Sequence, residues 1–199
     1  MELSKKEIYL IMNKPAGYVC SAVSDSHKTV YDLLSEELRG LVQGAKRGQR
    51  LHTIGRLDCD TSGLLLFTTD GHFSHKIAAS KEIGGCGLTK SYLAELKKIL
   101  SQKEMEEYIK KAHEGLLLPA EKKFPEQKAK PALLTFLTDS LCKVTVQEGK
   151  FHEVRRIFRA LGNEVLTLER ISIGKLTLPP DLQAGQWRNM TEEEIKALI

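Results

Sequence analysis

No Cys-x-x-Cys pair occurs in this chain, and its four cysteines, Cys20, Cys59, Cys86 and Cys142, stand far apart. That spacing excludes a zinc ribbon or a disulfide framework and fits reduced thiols in a cytoplasm. No apolar run approaches the length of a membrane span, and the opening residues Met-Glu-Leu-Ser-Lys-Lys-Glu are polar. Neither a membrane segment nor an export signal is expected. Internal repeats and low-complexity tracts are also lacking. Neither sign of charge dominates: 30 Lys and Arg against 26 Asp and Glu leave a formal net charge of +4. Such a balance allows an anionic partner without demanding one. The remainder is that of an ordinary soluble globular chain, with 41% hydrophobic and 28% charged residues. Its 199 residues suffice for one domain or two small subdomains.

The chemistry is concentrated in one stretch, Gly55 to Gly71. Leu64 to Phe67 is a short apolar run between turn residues, which predicts a strand buried on both faces. Before it, Arg56, Asp58 and Asp60 lie on a glycine-flanked loop. A rigid strand therefore presents an arginine and two acids at its entrance, the way a fold holds a reactive carboxylate.

Elsewhere the pattern is irregular. Ile8 to Met12 predicts a strand that Asn13-Lys14-Pro15-Ala16-Gly17 turns. Thr29 is placed to cap a helix through about Leu38, with Val30, Leu33 and Leu34 on one face. Gly40 to Gln49 reads as a basic loop. A short helix after Asp70 holds Phe73 and Ile77. Gly84-Gly85-Cys86-Gly87 reads as a flexible loop rather than a phosphate loop, because the Gly-Lys-Ser/Thr ending is lacking. Ser91 to Leu96 alternates as a strand does. Ser101 and Glu104 form a capping box for a helix with Met105, Tyr108, Ile109 and Ala112 on its core stripe and Gly115 as its stop. Glu121 to Lys130 reads as a loop. Ala132–Leu137 and Leu141–Gln147 predict a hairpin. A helix over Phe151–Leu161, strands at Val165–Ile171 and Leu176–Leu178, and a last helix capped by Thr191 and Glu194 complete the chain. Strands, hairpins and helices in this order favour an α+β fold with a mixed, largely antiparallel sheet flanked by helices.

Projected at 100° per residue, the helix at 151–161 places Val154, Ile157, Phe158 and Leu161 in one sector. His152, Arg156 and Arg159 fall opposite, a stripe of cations suited to a phosphate backbone, and Arg155 lies at the seam. His72 and His75 are i,i+3 but lack a partner at ligand spacing, so surface histidines are the better reading than a metal site. Asp58 and Asp60 could in principle serve a glycosidase, but two acids on one loop need not flank one bond.

Gly55-Arg56-Leu57-Asp58, then Asp60-Thr61-Ser62-Gly63-Leu64-Leu65-Leu66, then Thr69-Asp70-Gly71 resemble the signature of the RNA pseudouridine synthases, most closely the RsuA-like, small-subunit ribosomal RNA branch. Asn13-Lys14-Pro15-Ala16-Gly17, Lys90-Ser91-Tyr92 and Glu148-Gly149-Lys150-Phe151-His152-Glu153-Val154-Arg155-Arg156-Ile157-Phe158 resemble its other motifs. The resemblance runs from about Ile8 to Glu194. It contains no S4-type RNA-binding module, which many relatives carry. It implies a catalytic domain of two subdomains with a cleft between them. Asp58 would be the nucleophile, Arg155 its cationic partner and Tyr92 the aromatic that stacks on the target base. Arg56, Lys90, His152, Arg156 and Arg159 would contact RNA. Two positions depart from the family pattern: Glu153 stands where Gln is usual, and Ile157 where Met is usual.

The implied reaction isomerises a uridine of ribosomal RNA, small subunit preferred, with no cofactor and no metal. The expected partner is ribosomal RNA or a ribosomal subunit assembly intermediate, met by a monomer away from any membrane. The large-subunit RNA branch is the nearest alternative. A non-catalytic RNA-binding or ribosome-assembly protein and a nucleoside hydrolase are the rivals from other classes.

Overall fold

Four consecutive apolar residues, Leu64 to Phe67, sit at the centre of the molecule with no exposure to solvent. Alternation along a strand sends them to opposite faces. Leu64 and Leu66 join Ile11, Ile54, Phe73 and Ile173 in one cluster, while Leu65 and Phe67 join Leu10, Met12, Val30 and Tyr31 in another. The computed structural model describes residues 7–43, 49–79 and 88–199.

In chain order, β1 is Tyr9–Lys14, β2 Tyr18–Val19 and β3 Lys28–Thr29. A 3-10 turn at Val30–Leu33 precedes α1, Glu36–Gln43. The helix expected from Thr29 to Leu38 is therefore split. Leu34 takes an extended backbone, ψ 161°, which buries its side chain and breaks the helix. Gly40 to Gln43 is helical rather than loop, and positions 44–48 lie outside the described residues, as does the glycine cluster at 84–87.

β4 is His52–Ile54, β5 Thr61–Thr68, α2 Gly71–Ala79 and β6 Lys90–Leu96. Next comes α3, Gln102–Glu114, with its predicted capping box: Glu104 N–H donates to Ser101 Oγ and Ser101 N–H to the Glu104 carboxylate. Tyr108 and Ala112 are buried as expected, but Ile109 is 40% exposed. β7 is Leu117–Leu118 and β8 Gln127–Lys128. These two pair antiparallel, so the segment read as a loop is a short strap closed by a two-stranded ribbon. The hairpin follows as β9, Leu133–Phe136, and β10, Leu141–Val146. The remaining elements are α4, Glu153–Ala160; β11, Val165–Ile173; β12, Leu176–Thr177; β13, Trp187–Asn189; and α5, Glu192–Lys196.

Among the described residues nine strands form one sheet in the order β13-β1-β5-β11-β6-β10-β9, with β4 also on β5 and β12 on β11. Every pairing in it is antiparallel except β5 with β11. That gives the expected α+β architecture. No described helix is long and apolar enough to cross a membrane.

The register sets up the site. Lys14 lies opposite Gly63, Gly63 opposite Arg170, Arg170 opposite Tyr92 and Tyr92 opposite Val144. One row across the sheet thus carries a lysine, an arginine and a tyrosine. Gly63 is required in it. Its φ is +99°, and an added Cβ would stand 2.3 Å from the Arg170 carbonyl oxygen.

Candidate active site

The connection between β4 and β5 is the six-residue loop 55–60, which carries Arg56, Asp58 and Asp60. A buried cation fixes its shape. Lys14 has no exposure, and its ammonium donates to the carbonyls of Thr61 (2.7 Å), Pro15 (3.0 Å), Asp58 (3.1 Å) and Cys59 (3.3 Å). Burial pulls its pKa down, while the nearby thiols and loop acids work to keep the charge. The Asn-Lys-Pro turn is therefore the clamp of the acidic loop, with Gly17 N–H adding a bond to Cys59 O at 2.7 Å.

This loop opens on a cavity of 730 Å³ whose lining includes Asp58, Tyr92, His152, Glu153 and Arg170. The Asp58 side chain is 39% exposed, and His152 Nε2 stands 3.6 Å from its Oδ1. His152 is itself gripped from behind: Nδ1 lies 2.9 Å from Glu121 Oε1. Glu121 Oε2 accepts from Arg159 at 3.1 Å. Burial alone would raise the Glu121 carboxyl, but the bond and charge of His152 and the charge of Arg159 hold it below its ordinary value.

Arg155 reaches the loop, though not at the acid the resemblance implies. Its Nη2 pairs with Asp60 Oδ2 at 2.9 Å and its Nη1 donates to Val165 O at 3.0 Å. Among the described residues no bond joins it to Asp58, whose flank is held by His152. Asp60, the more exposed acid at 66%, is thus an ion-pair partner outside the cavity.

Arg156 is not the exposed phosphate contact expected from the sequence. The helix projection puts it on the solvent face, yet it has no exposure. The strap between β7 and β8 crosses that face of α4. Arg156 Nε donates to Pro119 O and Nη2 to Pro125 O, both at 2.9 Å, with Phe151 O and Leu118 O completing the set. It cannot touch a phosphate without breaking these bonds. Arg159 stays half-exposed on the same helix. Arg56 is exposed at the cavity mouth, and Lys90 lines the cavity, donating to Leu88 O and Glu148 O.

Catalytic pockets that combine a positioned carboxylate, an aromatic wall and flanking cations occur in many folds, so comparison with known proteins decides the class. A family profile described as RNA pseudouridylate synthase matches residues 8–160. The chain belongs to this family. The ribosomal small subunit pseudouridine synthase A of Escherichia coli K12 is 38% identical over 191 residues, covering 96% of this chain and 74% of that protein. The Haemophilus influenzae protein of the same name is 38% identical over 191 residues, covering 96% and 73%. A solved pseudouridylate synthase aligns with TM-score 0.81 at 37% identity over 98% of this chain and 74% of that one. The archaeal box H/ACA Nop10–Cbf5 complex, at 17% identity and TM-score 0.55 over 89% of this chain and 51% of that one, shares the fold.

For a pseudouridylate synthase, two of these cavity residues, Arg170 and Phe124, come from outside the motif reading. Arg170 is 2% exposed; its Nε donates to Leu64 O at 2.8 Å, it lies opposite Tyr92 in the sheet, and its Nη2 has no partner. The sequence carried a signal for it, because Arg170 shares the inward parity of Leu168 on β11. Tyr92 is half-buried, and burial raises its hydroxyl above the ordinary tyrosine value, with Arg170 opposing. Glu153 is 6% exposed; burial, reinforced by Glu148, pushes its carboxyl up to about 7. Phe124 reaches the cavity from the strap, and no local pattern in a charged, proline-bearing segment marks it.

Proposed function

We propose that this protein converts a uridine of small-subunit ribosomal RNA to pseudouridine, with Asp58 as the nucleophile. The observation that carries the reading is Asp58 itself: a partly exposed carboxylate on a clamped loop, facing a 730 Å³ cavity beside a tyrosine. That volume lies within the roughly 300–1,000 Å³ of small-ligand sites and suits one extruded nucleotide. The names of the bacterial relatives support the small-subunit substrate.

The reaction breaks the bond from ribose C1′ to uracil N1 and makes one to C5. C5 loses its proton and N1 gains one, so oxidation state is unchanged and no group donor is consumed. A carboxylate at Asp58 can attack covalently or assist deprotonation, dividing one hard step into easier ones. Tyr92 supplies the aromatic face that replaces stacking lost on extrusion. Arg155 orients the acidic loop through Asp60. Arg56, Lys90, His152 and Arg159 surround the path of the RNA backbone.

The decisive experiment maps pseudouridine in both ribosomal RNAs of a strain lacking the gene, complemented with wild type or Asp58→Asn. A small-subunit site that disappears, returns with wild type and stays absent with Asp58→Asn supports the proposal. Restoration by Asp58→Asn would sink it, and loss of a large-subunit site instead would overturn the substrate.

A further inference from the structure

Three rings lie face to face along one side of the cavity. Phe124 and Phe151 have centroids 4.1 Å apart at 12°, and Phe151 and His152 3.8 Å apart at 17°. Other aromatic pairs in the protein behave as core pairs do, edge-on or tilted: Tyr9–Phe73 at 82°, Tyr31–Phe67 at 81° and Tyr108–Phe136 at 58°. The parallel stack is also not in the core. Phe124, Phe151 and His152 are each half-buried and line the cavity, and the inner end of the stack, His152, abuts Asp58.

The fold holds this stack firmly. Arg156 gathers carbonyls on both sides of the strap, Pro119 and Pro125, together with that of Phe151. Glu121 ties the strap to His152 and Arg159. Lys122 at φ 51° and His152 at φ 47° are the two non-glycine residues with positive φ among the described residues, and both belong to this assembly. Backbone strain of that kind persists only where the surroundings enforce it. Cations complete the picture. Lys122 Nζ lies 5.8 Å from the Phe151 centroid and Lys123 Nζ 5.8 Å from that of Phe124. Both lysines are exposed, and neither has a carboxylate partner among the described residues.

We infer that the Phe124–Phe151–His152 stack is a second base-binding subsite, on which the RNA nucleotide adjoining the extruded uridine stacks while Lys122 and Lys123 meet its phosphate. The inference rests on the proposed reaction at Asp58. Extruding one base leaves its neighbour without a stacking partner on one side. A planar aromatic end with cations beside it is the arrangement that receives single-stranded bases irrespective of sequence. The strap then holds the RNA in register with the nucleophile.

The test uses a uridine nonamer RNA containing one 2-aminopurine, whose fluorescence is quenched on stacking. The probe is titrated into the 199-residue protein and into Phe124→Leu, Phe124→Tyr and Lys122→Ala/Lys123→Ala, with thermal melts of each. Phe124→Leu keeps bulk without an aromatic face. It should abolish the quench and weaken binding by about five- to a hundredfold, with its melting temperature little changed. Phe124→Tyr should bind and quench as wild type. The double lysine variant should lower the salt slope of binding by about one, as loss of a single-strand phosphate contact does. Wild-type affinity and quench in Phe124→Leu would overturn the inference. So would a lower melting temperature with unaltered binding by the folded variant, which would make the stack merely a roof over Arg156. Pseudouridine formation is assayed separately. A protein that shows the Phe124-dependent quench but makes no pseudouridine would refute the reaction and leave the subsite standing.

Discussion

Lys14 Nζ and the carbonyl oxygen of Thr61 are 2.7 Å apart at a point no solvent reaches, where β1 delivers an amino group beneath the loop that carries Asp58. The ammonium takes four carbonyls, so the loop's shape depends on one side chain from 44 residues earlier than Asp58.

Replacing Lys14 by Met should therefore do two things. It leaves buried carbonyls without a donor, which costs at least about 2 kcal/mol of stability. It also frees the loop, so isomerisation should fall by more than about tenfold in the fraction that remains folded, since a displaced nucleophile loses its alignment. Urea unfolding and turnover at saturating RNA check both. A Lys14→Met protein with wild-type turnover would show that the clamp has no part in positioning Asp58.

Arg156 and Arg159, three residues apart on α4, should behave oppositely. Arg156→Ala strands the carbonyls of Leu118, Pro119, Pro125 and Phe151, and should lower stability by about 2–4 kcal/mol. Arg159→Ala removes a half-exposed pair with Glu121 and should cost less than about 1 kcal/mol. Arg159→Ala should instead reduce the slope of log affinity against log salt by about one. Equal stability losses for the two variants would contradict the burial described for Arg156.

Tyr92→Phe keeps the ring against its neighbours and removes the hydroxyl on which the Arg170 charge acts. Its melting temperature should stay within about 3 °C of wild type and RNA affinity should hold. Turnover should drop at least about tenfold if the hydroxyl moves a proton. Single-turnover rates at saturating RNA are the measurement, and a wild-type rate would confine Tyr92 to stacking.

Glu153 gives a pH signature. Its carboxyl is pushed up to about 7 in the folded protein by burial and by Glu148, against about 4.3 in an unfolded chain. The folded state therefore binds the proton more tightly. Its contribution is complete below about pH 4 and is lost as the pH rises through about 7. Glu153→Gln should remove that decline, gaining up to about 3 kcal/mol over wild type at pH 8.5 while differing little at pH 4. Urea midpoints at both values decide it. Parallel pH curves for the two proteins would mean that Glu153 does not titrate in this range.

Much of this was legible in the sequence where local chemistry acts alone. The central strand followed from four apolar residues between turns, and two helices followed from Ser101–Glu104 and Thr191–Glu194 capping boxes, both present in the structure. The motif order led to Asp58, Tyr92 and His152, which the fold brings to one cavity. What escaped depends on partners distant in sequence. A helical projection of α4 knows its own apolar face but not the strap that crosses the other one, so Arg156 looked exposed. The ribbons that position the strap are two residues long, too short for any periodicity. Leu34 and the Asp60–Arg155 pair likewise answer to the tertiary environment rather than to their neighbours in sequence.

The parallel pairing of β5 with β11 has a consequence for how this protein becomes active. β11 lies between β5 and β6 in the sheet yet is the last of the three in the chain. One half of the sheet, β1 with β4 and β5, closes from early residues, and the hairpin of β9 and β10 joins β6 across α3 and the strap. The Arg170 row that faces Asp58 exists only once β11 enters between them. Joining residues more than a hundred positions apart is the slow kind of step in folding. On a ribosome, the acidic loop would emerge long before its cavity, and the open edges of β5 and β6 would wait unpaired for their common neighbour. A chain that stops before β11 therefore carries the nucleophile loop without the arginine that lines its cavity.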